Sequence, residues 1–98
     1  RVVTPRKLKE FADKHPAAKI PLLLLHWYEV TRKASWKNLV EVKKDFPSTD
    51  YVGNNRFVFD IKGNQYRLIA IIIFASQKLY IRFIGTHAAY DKIDASTI

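Results

Sequence analysis

The stretch RFVFDIKGNQYRLIAIIIFASQKLYIRFIGTHAAYDK, residues 56–92, decides the fold. It contains three runs rich in Val, Ile, Phe and Tyr, separated by short segments rich in Gly, Asn, Ser and Gln. Such runs predict β-strands, and the short segments between them predict hairpin turns. The sequence therefore predicts three consecutive antiparallel strands, Arg56–Ile61, Gln65–Phe74 and Leu79–Thr86.

The two hairpin loops predict how these strands pair. The first loop, Gly63-Asn64, has glycine in its first position, as a type II′ turn prefers. Across this loop the predicted pairs are Asp60 with Arg67 and Phe59 with Leu68. Across the second loop the predicted pairs are Phe74 with Leu79, Ile71 with Arg82, and Arg67 with Thr86.

These pairings sort the side chains onto two surfaces, because successive residues of a strand point to opposite faces of the sheet. One surface is apolar throughout and must be covered: Phe57, Phe59, Ile61, Tyr66, Leu68, Ala70, Ile72, Phe74, Leu79, Ile81 and Phe83. The other is a partly apolar floor with basic groups near one end: Arg56, Asp60, Lys62, Gln65, Arg67, Arg82 and Thr86 among Val58, Ile69, Ile71, Ile73 and Ile84.

The segment before the sheet predicts the helices that cover the apolar surface. Capping residues, prolines and apolar residues at helical spacing indicate three of them: Thr4–His15, Pro21–Ala34 and Trp36–Phe46, the last capped by Ser35. The third is expected to bury Trp36, Leu39, Val40 and Phe46. Shorter predicted elements are an edge strand at Arg1–Val3, a strand at Tyr51-Val52 and a helical turn at Ala88–Ile93. This order predicts an α+β fold with helices on one sheet face and a basic open face on the other.

Length and charge narrow the class of protein. Ninety-eight residues, 1–98, are expected to form a single domain with one core. The net charge of +8 indicates an anionic partner, either nucleic acid or an acidic protein. A third interpretation is a basic surface that keeps the protein soluble and has no specific partner. The absence of cysteine excludes disulfides and thiol nucleophiles, and a reducing cytoplasmic setting is expected. The apolar runs are too short to span a bilayer.

Several kinds of site are disfavoured. The chain has no phosphate-cradling glycine loop and no helix-turn-helix pattern. His15, His26 and His87 lack the spacing of zinc ligands, and the carboxylates are scattered, so neither a metal site nor a cofactor is predicted. What remains is a group of polar residues around the last two strands: Lys62, Asn64, Arg67, Arg82, His87, Tyr90 and Lys92.

This group has the chemistry needed to cleave RNA without a metal. A histidine can exchange a proton near neutral pH, as the attacking 2′-hydroxyl and the leaving 5′-oxygen both require. Arginine can hold phosphate through two hydrogen bonds, and cations offset the charge that builds on phosphorus. A purely structural interpretation stays open beside it, in which His87 and Tyr90 finish a strand and Arg67 pairs with Asp60.

Several fragments of the chain resemble one known family. They are the Phe11…His15-Pro16 pattern, Trp27, Trp36, the Phe46-Pro47-Ser48…Asp50 pattern, and the segments FDIKGNQYRL at 59–68, IRF at 81–83 and THAAYDK at 86–92. In order and spacing these fragments are similar to the HigB family of toxins, within the RelE-like superfamily of toxin–antitoxin systems. The resemblance covers nearly the whole chain.

The resemblance implies a small endoribonuclease that cuts messenger RNA on the translating ribosome without a metal. It also implies a cognate antitoxin that neutralises the toxin. This antitoxin is usually a helix-turn-helix protein that represses the operon encoding both proteins. On this resemblance Arg67 binds phosphate, His87 and Tyr90 are catalytic, and Lys62 stabilises charge or contacts RNA. The remaining expected RNA contacts are Asn64, Arg82, Lys92 and Arg56. Two roles stay open, since Arg82 could instead support the site from below, and Asp91 could orient His87 or only cap a helix.

Two other functions compete with the nuclease. A non-catalytic RNA-binding module would bind through its lysines and arginines with a steep dependence on salt, and would cleave nothing. An interaction subunit would use the basic surface mainly to dock an acidic partner. Because a toxin also docks an antitoxin, binding of such a partner alone does not separate the nuclease from the interaction subunit.

Overall fold

The protein is described from a computed structural model that covers residues 5–15, 27–61 and 65–98. Four helices and four strands are found in these ranges. The helices are α1 (Pro5–Lys14), α2 (Trp27–Lys33), α3 (Leu39–Asp45) and α4 (His87–Tyr90). The strands are β1 (Asp50–Gly53), β2 (Arg56–Ile61), β3 (Tyr66–Ile73) and β4 (Lys78–Thr86). The α+β class, the three long strands and the short strand at Tyr51-Val52 are confirmed.

The described strands form one antiparallel sheet in the order β1-β2-β3-β4. Strands β2 and β3 pair as predicted, with Asp60 opposite Arg67 and Phe59 opposite Leu68. The predicted turn at Gly63-Asn64 lies outside the described residues. The meander places both polar partners, Asp60 and Arg67, side by side on one face near the end of the sheet.

The predicted pairing of β3 with β4 is wrong. Ile72, and not Phe74, lies opposite Leu79, because the chain turns through residues 74–77 and Gln77 adopts a left-handed φ of 56°. The side-chain amide of Gln77 donates to the Phe74 carbonyl at 2.7 Å and closes this turn. The loop therefore lies one residue earlier than predicted on both sides.

A β-bulge then shifts the register a second time. Ala70 pairs with Ile81 and Ile69 with Phe83, so Arg82 is the extra residue of the bulge. Arg82 therefore does not face Ile71, and Arg67 lies opposite Gly85, not Thr86. The bulge also exchanges two predicted faces: Ile84 lies opposite Leu68 and packs on the helix-covered core, whereas Phe83 lies on the other face.

The core lies between the helices and one face of the sheet. Trp27 of α2 is fully buried, and its ring contacts Phe59 edge-on with a centroid distance of 5.5 Å. The Phe59 ring also meets Trp36 and Phe46, at 6.5 and 5.4 Å. The predicted role of the second helix as a cover of the apolar sheet face is therefore confirmed for its described part. Its start before Trp27, including His26, lies outside the described residues, as does the edge strand at Arg1–Val3.

Helix α3 begins three residues later than predicted, and Asn38 is its cap, not Ser35. The Asn38 side chain accepts a hydrogen bond from the Glu41 backbone N–H at 3.1 Å. The segment before it is held in place by Trp36, whose buried indole donates to Asp45 at 2.8 Å. On this helix Val42 is the buried residue, and the expected core residue Val40 is 67% exposed.

The second face of the sheet is not open over its whole area. Val58 and Ile69 pair on this face and are both fully buried. The C-terminal residues 91–98 are tied across the face, since Arg56 donates to the Ile98 carbonyl at 2.8 Å and Asn54 to the Ser96 carbonyl at 2.9 Å. Within the described ranges no helix has both the length and the apolar character needed to cross a membrane.

Candidate functional site

The candidate site lies where β3 begins and β4 ends. Strand β4 ends at Thr86, which caps α4 by accepting a hydrogen bond from the Ala89 backbone N–H at 3.2 Å. The backbone N–H of His87 donates to the Gln65 carbonyl at 3.1 Å, directly before β3. This pair of contacts turns the chain sharply back, and it places α4 beside the polar end of the sheet.

Arg67 is the central cation of the site. Its Nη1 lies 2.7 Å from Asp60 Oδ1, and the two side chains are only 17% and 22% exposed. The Arg67 Nε is buried and has no hydrogen-bond partner among the described residues. The guanidinium carbon lies 5.3 Å from the centre of the Tyr90 ring, within the range of a cation–π contact. The predicted pair with Asp60 thus exists, and it holds Arg67 in one place against Tyr90.

His87 lies on the other side of the Tyr90 contact, with its ring centre 6.4 Å from that of Tyr90. Its Nδ1 is 3.1 Å from a carboxylate oxygen of Asp91, one helical turn further on. The imidazole is 45% exposed, so a substrate in solution can reach it. Asp91 thus contacts the His87 ring and is also the C-cap of α4, so its position is compatible with both roles left open for it. The arrangement extends from Asp60 through Arg67, Tyr90 and His87 to Asp91.

Gly85 allows this close packing beside Arg67. A Cβ atom at Gly85 would lie 2.8 Å from the Phe83 ring and 3.5 Å from the Ala89 Cβ. A side chain at position 85 would therefore force the end of the Phe83 ring to move, whereas glycine lets the ring lie directly against the strand. Sequence reasoning missed both residues, because the bulge moved Phe83 to this face. A glycine inside an otherwise apolar strand was the signal that could have found the close approach.

The C-terminal segment has polar contacts of its own. Asp94 accepts hydrogen bonds from the hydroxyl and the backbone N–H of Ser96, at 2.7 and 3.0 Å. These bonds hold the pKa of Asp94 below its ordinary value, and the bond from the Ser96 hydroxyl has the largest effect. Arg56 also reaches this segment, so its guanidinium is engaged by two carbonyls, those of Asn54 and Ile98.

The structure brings together only part of the predicted set. Arg67, His87 and Tyr90 form one cluster, and exposed Lys92 follows α4 directly. Arg82 lines a groove between α1 and β4, and Arg56 is bound to carbonyls at the far end of its strand. Lys62 and Asn64 lie outside the described residues. In the described ranges, no three His, Asp or Glu side chains are grouped so as to hold a metal ion.

The antiparallel sheet, the helices on one face and the Arg–Tyr–His cluster at the sheet end are the architecture expected of a RelE-like toxin. Comparison with known proteins identifies the family. Residues 22–93 match the family model of the HigB toxin, described as the RelE-like toxic component of a toxin–antitoxin system. The chain belongs to this family, and the family implies an antitoxin as its partner.

Known relatives match over most of their length. The mRNA interferase toxin HigB of Escherichia coli strain K12 is 37% identical over 93 residues, which cover 92% of this chain and 86% of the relative. The mRNA interferase HigB of Shigella flexneri is similar to the same extent. That of Escherichia coli strain CFT073 is 30% identical over 94 residues, or 94% of this chain and 89% of the relative.

Proposed function

We propose that this chain is a metal-independent endoribonuclease that cuts messenger RNA on the translating ribosome. The arrangement of Arg67, Tyr90 and His87 supports it, since a held cation, an aromatic ring and an accessible imidazole meet within one site. The names of its relatives, which are mRNA interferases, favour the same substrate. The proposal includes a single toxin domain over residues 1–98 that acts in the cytoplasm.

In the proposed reaction the 2′-oxygen attacks phosphorus as the bond to the 5′-oxygen breaks, which leaves a 2′,3′-cyclic phosphate and a 5′-hydroxyl. Arg67 binds the scissile phosphate and offsets the negative charge that grows on its oxygens. The 2′-hydroxyl gives up a proton and the 5′-oxygen gains one, and His87, whose Nδ1 contacts Asp91, is the acid or the base in this exchange. Tyr90 stacks on a base or shares in proton transfer, and Lys92 contacts the RNA backbone. Lys62 and Asn64 are proposed to complete the site from the first hairpin.

The partner is proposed to be a helix-turn-helix antitoxin that neutralises the toxin and binds operator DNA. In this proposal the chain itself contacts DNA only through the antitoxin. Arg56 and Arg82 remain sequence-based predictions of RNA contacts. Their positions support other roles more directly, because Arg56 holds the C-terminal segment and Arg82 lies in the α1–β4 groove.

The test is translation of a reporter messenger in a bacterial cell-free extract, with primer extension to map new messenger ends. The parent is compared with His87→Gln and Arg67→Ala, each folded as judged by thermal melting. We expect His87→Gln to slow cleavage by about 10²–10⁴-fold, as for loss of a general acid or base. Arg67→Ala is expected to lose about 10²–10³-fold, as for loss of one charge-stabilising group.

Lys43→Ala is the matched control, because Lys43 is an exposed cation on α3, remote in sequence from the cluster. It is expected to cleave like the parent. Cleavage by the parent that persists in both site variants would contradict the residue assignment. Intact messenger with folded parent protein would contradict the nuclease itself, and would leave RNA binding or partner docking as the function of the basic surface.

A further inference from the structure

A second surface, the α1–β4 groove, lies apart from the Arg67 cluster. One wall is the face of α1 that carries Lys7, Glu10 and Lys14, spaced three and four residues apart. Its apolar side chains are Phe11 of α1 and Ile84 of β4, both of which also pack against the core. Arg82, the extra residue of the bulge in β4, is exposed and lines the same groove.

The walls of the groove carry cations that are not neutralised by ion pairs within the described residues. Lys7 reaches across it and donates to the Ile81 carbonyl at 3.3 Å, which closes one end. Among the described residues, Lys14 and Arg82 have no ion-pair partner, and Glu10 forms no ion pair with a lysine of its own helix. Besides Lys7, the groove thus presents two exposed cations, Lys14 and Arg82, and one carboxylate above an apolar floor.

This composition fits a protein segment better than RNA. An apolar floor made by the Phe11 ring and Ile84 matches the apolar stripe of a helix, which typically lies in such grooves. Glu10 in the wall would repel a phosphate backbone, whereas a peptide can place a cation or a neutral side chain beside it. The unpaired Lys14 and Arg82 match acidic side chains along the rim.

We propose that the α1–β4 groove binds an acidic, amphipathic segment of the antitoxin. The inference rests on the antitoxin partnership of the family and not on the nuclease chemistry, so each can fail without the other. Apolar side chains of that segment cover Phe11 and Ile84, and its carboxylates meet Lys14 and Arg82.

The test measures binding of the purified antitoxin encoded beside this toxin to toxin variants, by surface plasmon resonance at two salt concentrations. The decisive variant is Lys14→Glu, and its matched control is Lys9→Glu, which makes the same change in charge at an exposed position of α1 outside the groove. We expect Lys14→Glu to raise Kd about tenfold, mostly through slower association that high salt attenuates. Lys9→Glu is expected to stay within about threefold of the parent.

Two further variants guard against a trivial loss of folding. Lys14→Gln removes the charge without placing a carboxylate in the last turn of α1, and is expected to weaken binding less than Lys14→Glu does. Glu10→Lys adds a cation to the wall and is expected to hold or tighten binding. Thermal melting of each variant shows whether weaker antitoxin binding comes from a missing contact in a folded protein or from unfolding of the variant.

Three outcomes would overturn the proposal. In the first, Lys14→Glu binds antitoxin as Lys9→Glu does. In the second, Glu10→Lys weakens binding as much as Lys14→Glu, which would exclude an acidic occupant. In the third, Lys14→Glu leaves antitoxin affinity intact but reduces messenger cleavage more than Lys9→Glu, which would make the groove an RNA surface.

Discussion

The two faces of the sheet are built in different ways. The helix-covered face is held by contiguous aromatic and aliphatic packing, with Phe59 in contact with three other rings. The second face buries Val58 and Ile69 in its middle, and polar contacts of fixed direction hold its two ends. Apolar packing has no preferred direction, whereas an ion pair or a hydrogen bond fixes the position of a particular atom.

In this fold, stability and chemistry are assigned to different faces of the sheet. A nuclease site needs charged atoms at set positions, and the packing of one sheet face provides a rigid base for them. The other face then carries Asp60, Arg67 and the residues of α4. If this division is right, substitutions on the two faces will affect different measurements.

The largest effect is expected for Phe59→Ala on the helix-covered face. Removal of a fully buried aromatic ring leaves a cavity among three other rings, and should lower the free energy of unfolding by about 3–5 kcal/mol. Urea denaturation measures the loss. The cleavage rate per folded molecule should stay near that of the parent, since Phe59 points away from Arg67.

Val40→Ala is the control for this prediction, because Val40 is an exposed apolar residue of α3. It is expected to change the free energy of unfolding by no more than about 0.5 kcal/mol. A Phe59→Ala protein that is folded at low urea yet cleaves messenger far more slowly per molecule would show that the two faces are not separated in this way.

The parts of the fold that follow from local pattern could be predicted from the sequence. The two-residue loop Gly63-Asn64 gave the predicted pairing of Asp60 with Arg67, and the separation of polar from apolar side chains supported that register. The last strand could not be placed in the same way. Its run Arg82-Phe83-Ile84 alternates equally well in either register, so the bulge leaves no mark on the pattern.

The start of α3 shows a second limit of sequence reasoning. Ser35 and Asn38 are both good helix caps, and local propensity does not choose between them. Burial of Trp36 and its hydrogen bond to Asp45 make the choice, and both depend on the folded core. For the site, residue types predicted its chemistry, but the contact between Arg67 and Tyr90 depends on how α4 turns back from the sheet.

An intermediate effect is expected on the second face for Asp60→Ala. The substitution leaves the Arg67 guanidinium in a largely buried position without its carboxylate, which should cost about 1–3 kcal/mol in the free energy of unfolding. Messenger cleavage should fall as well, because Arg67 loses the contact that fixes its position. Urea denaturation and the cell-free cleavage assay measure the two effects on the same protein.

Asp60→Asn shows how much of the Asp60→Ala effect on cleavage comes from loss of the negative charge and how much from loss of the side chain. The amide keeps the size of the side chain and can still accept a hydrogen bond from Arg67, so cleavage should recover part of what alanine loses. Full activity in Asp60→Ala would break the proposed link between the ion pair and the chemistry. It would mean that Arg67 takes its working position only when RNA is bound.

The smallest effect is expected for Arg56→Ala, at the other end of the second face. Its hydrogen bond to the Ile98 carbonyl ties the C-terminal segment to β2, and its loss should cost about 1 kcal/mol in the free energy of unfolding. Amide hydrogen exchange should rise at Ser96 and Thr97 before it rises in the sheet, because local opening releases that segment first. Arg32→Ala is the control, since Arg32 makes only an exposed pair with Glu29 on α2 and should leave exchange in the segment unchanged.

Amide hydrogen exchange at Ser96 and Thr97, measured together with messenger cleavage, also distinguishes a structural role of Arg56 from an RNA contact. If Arg56→Ala speeds exchange there and leaves messenger cleavage intact, Arg56 holds the structure and is not an RNA contact. If cleavage falls while exchange stays as in the parent, Arg56 acts on RNA directly, and the catalytic surface extends along the whole length of β2. The second face would then carry chemistry at both of its ends, and the C-terminal segment would lie within the RNA-binding surface.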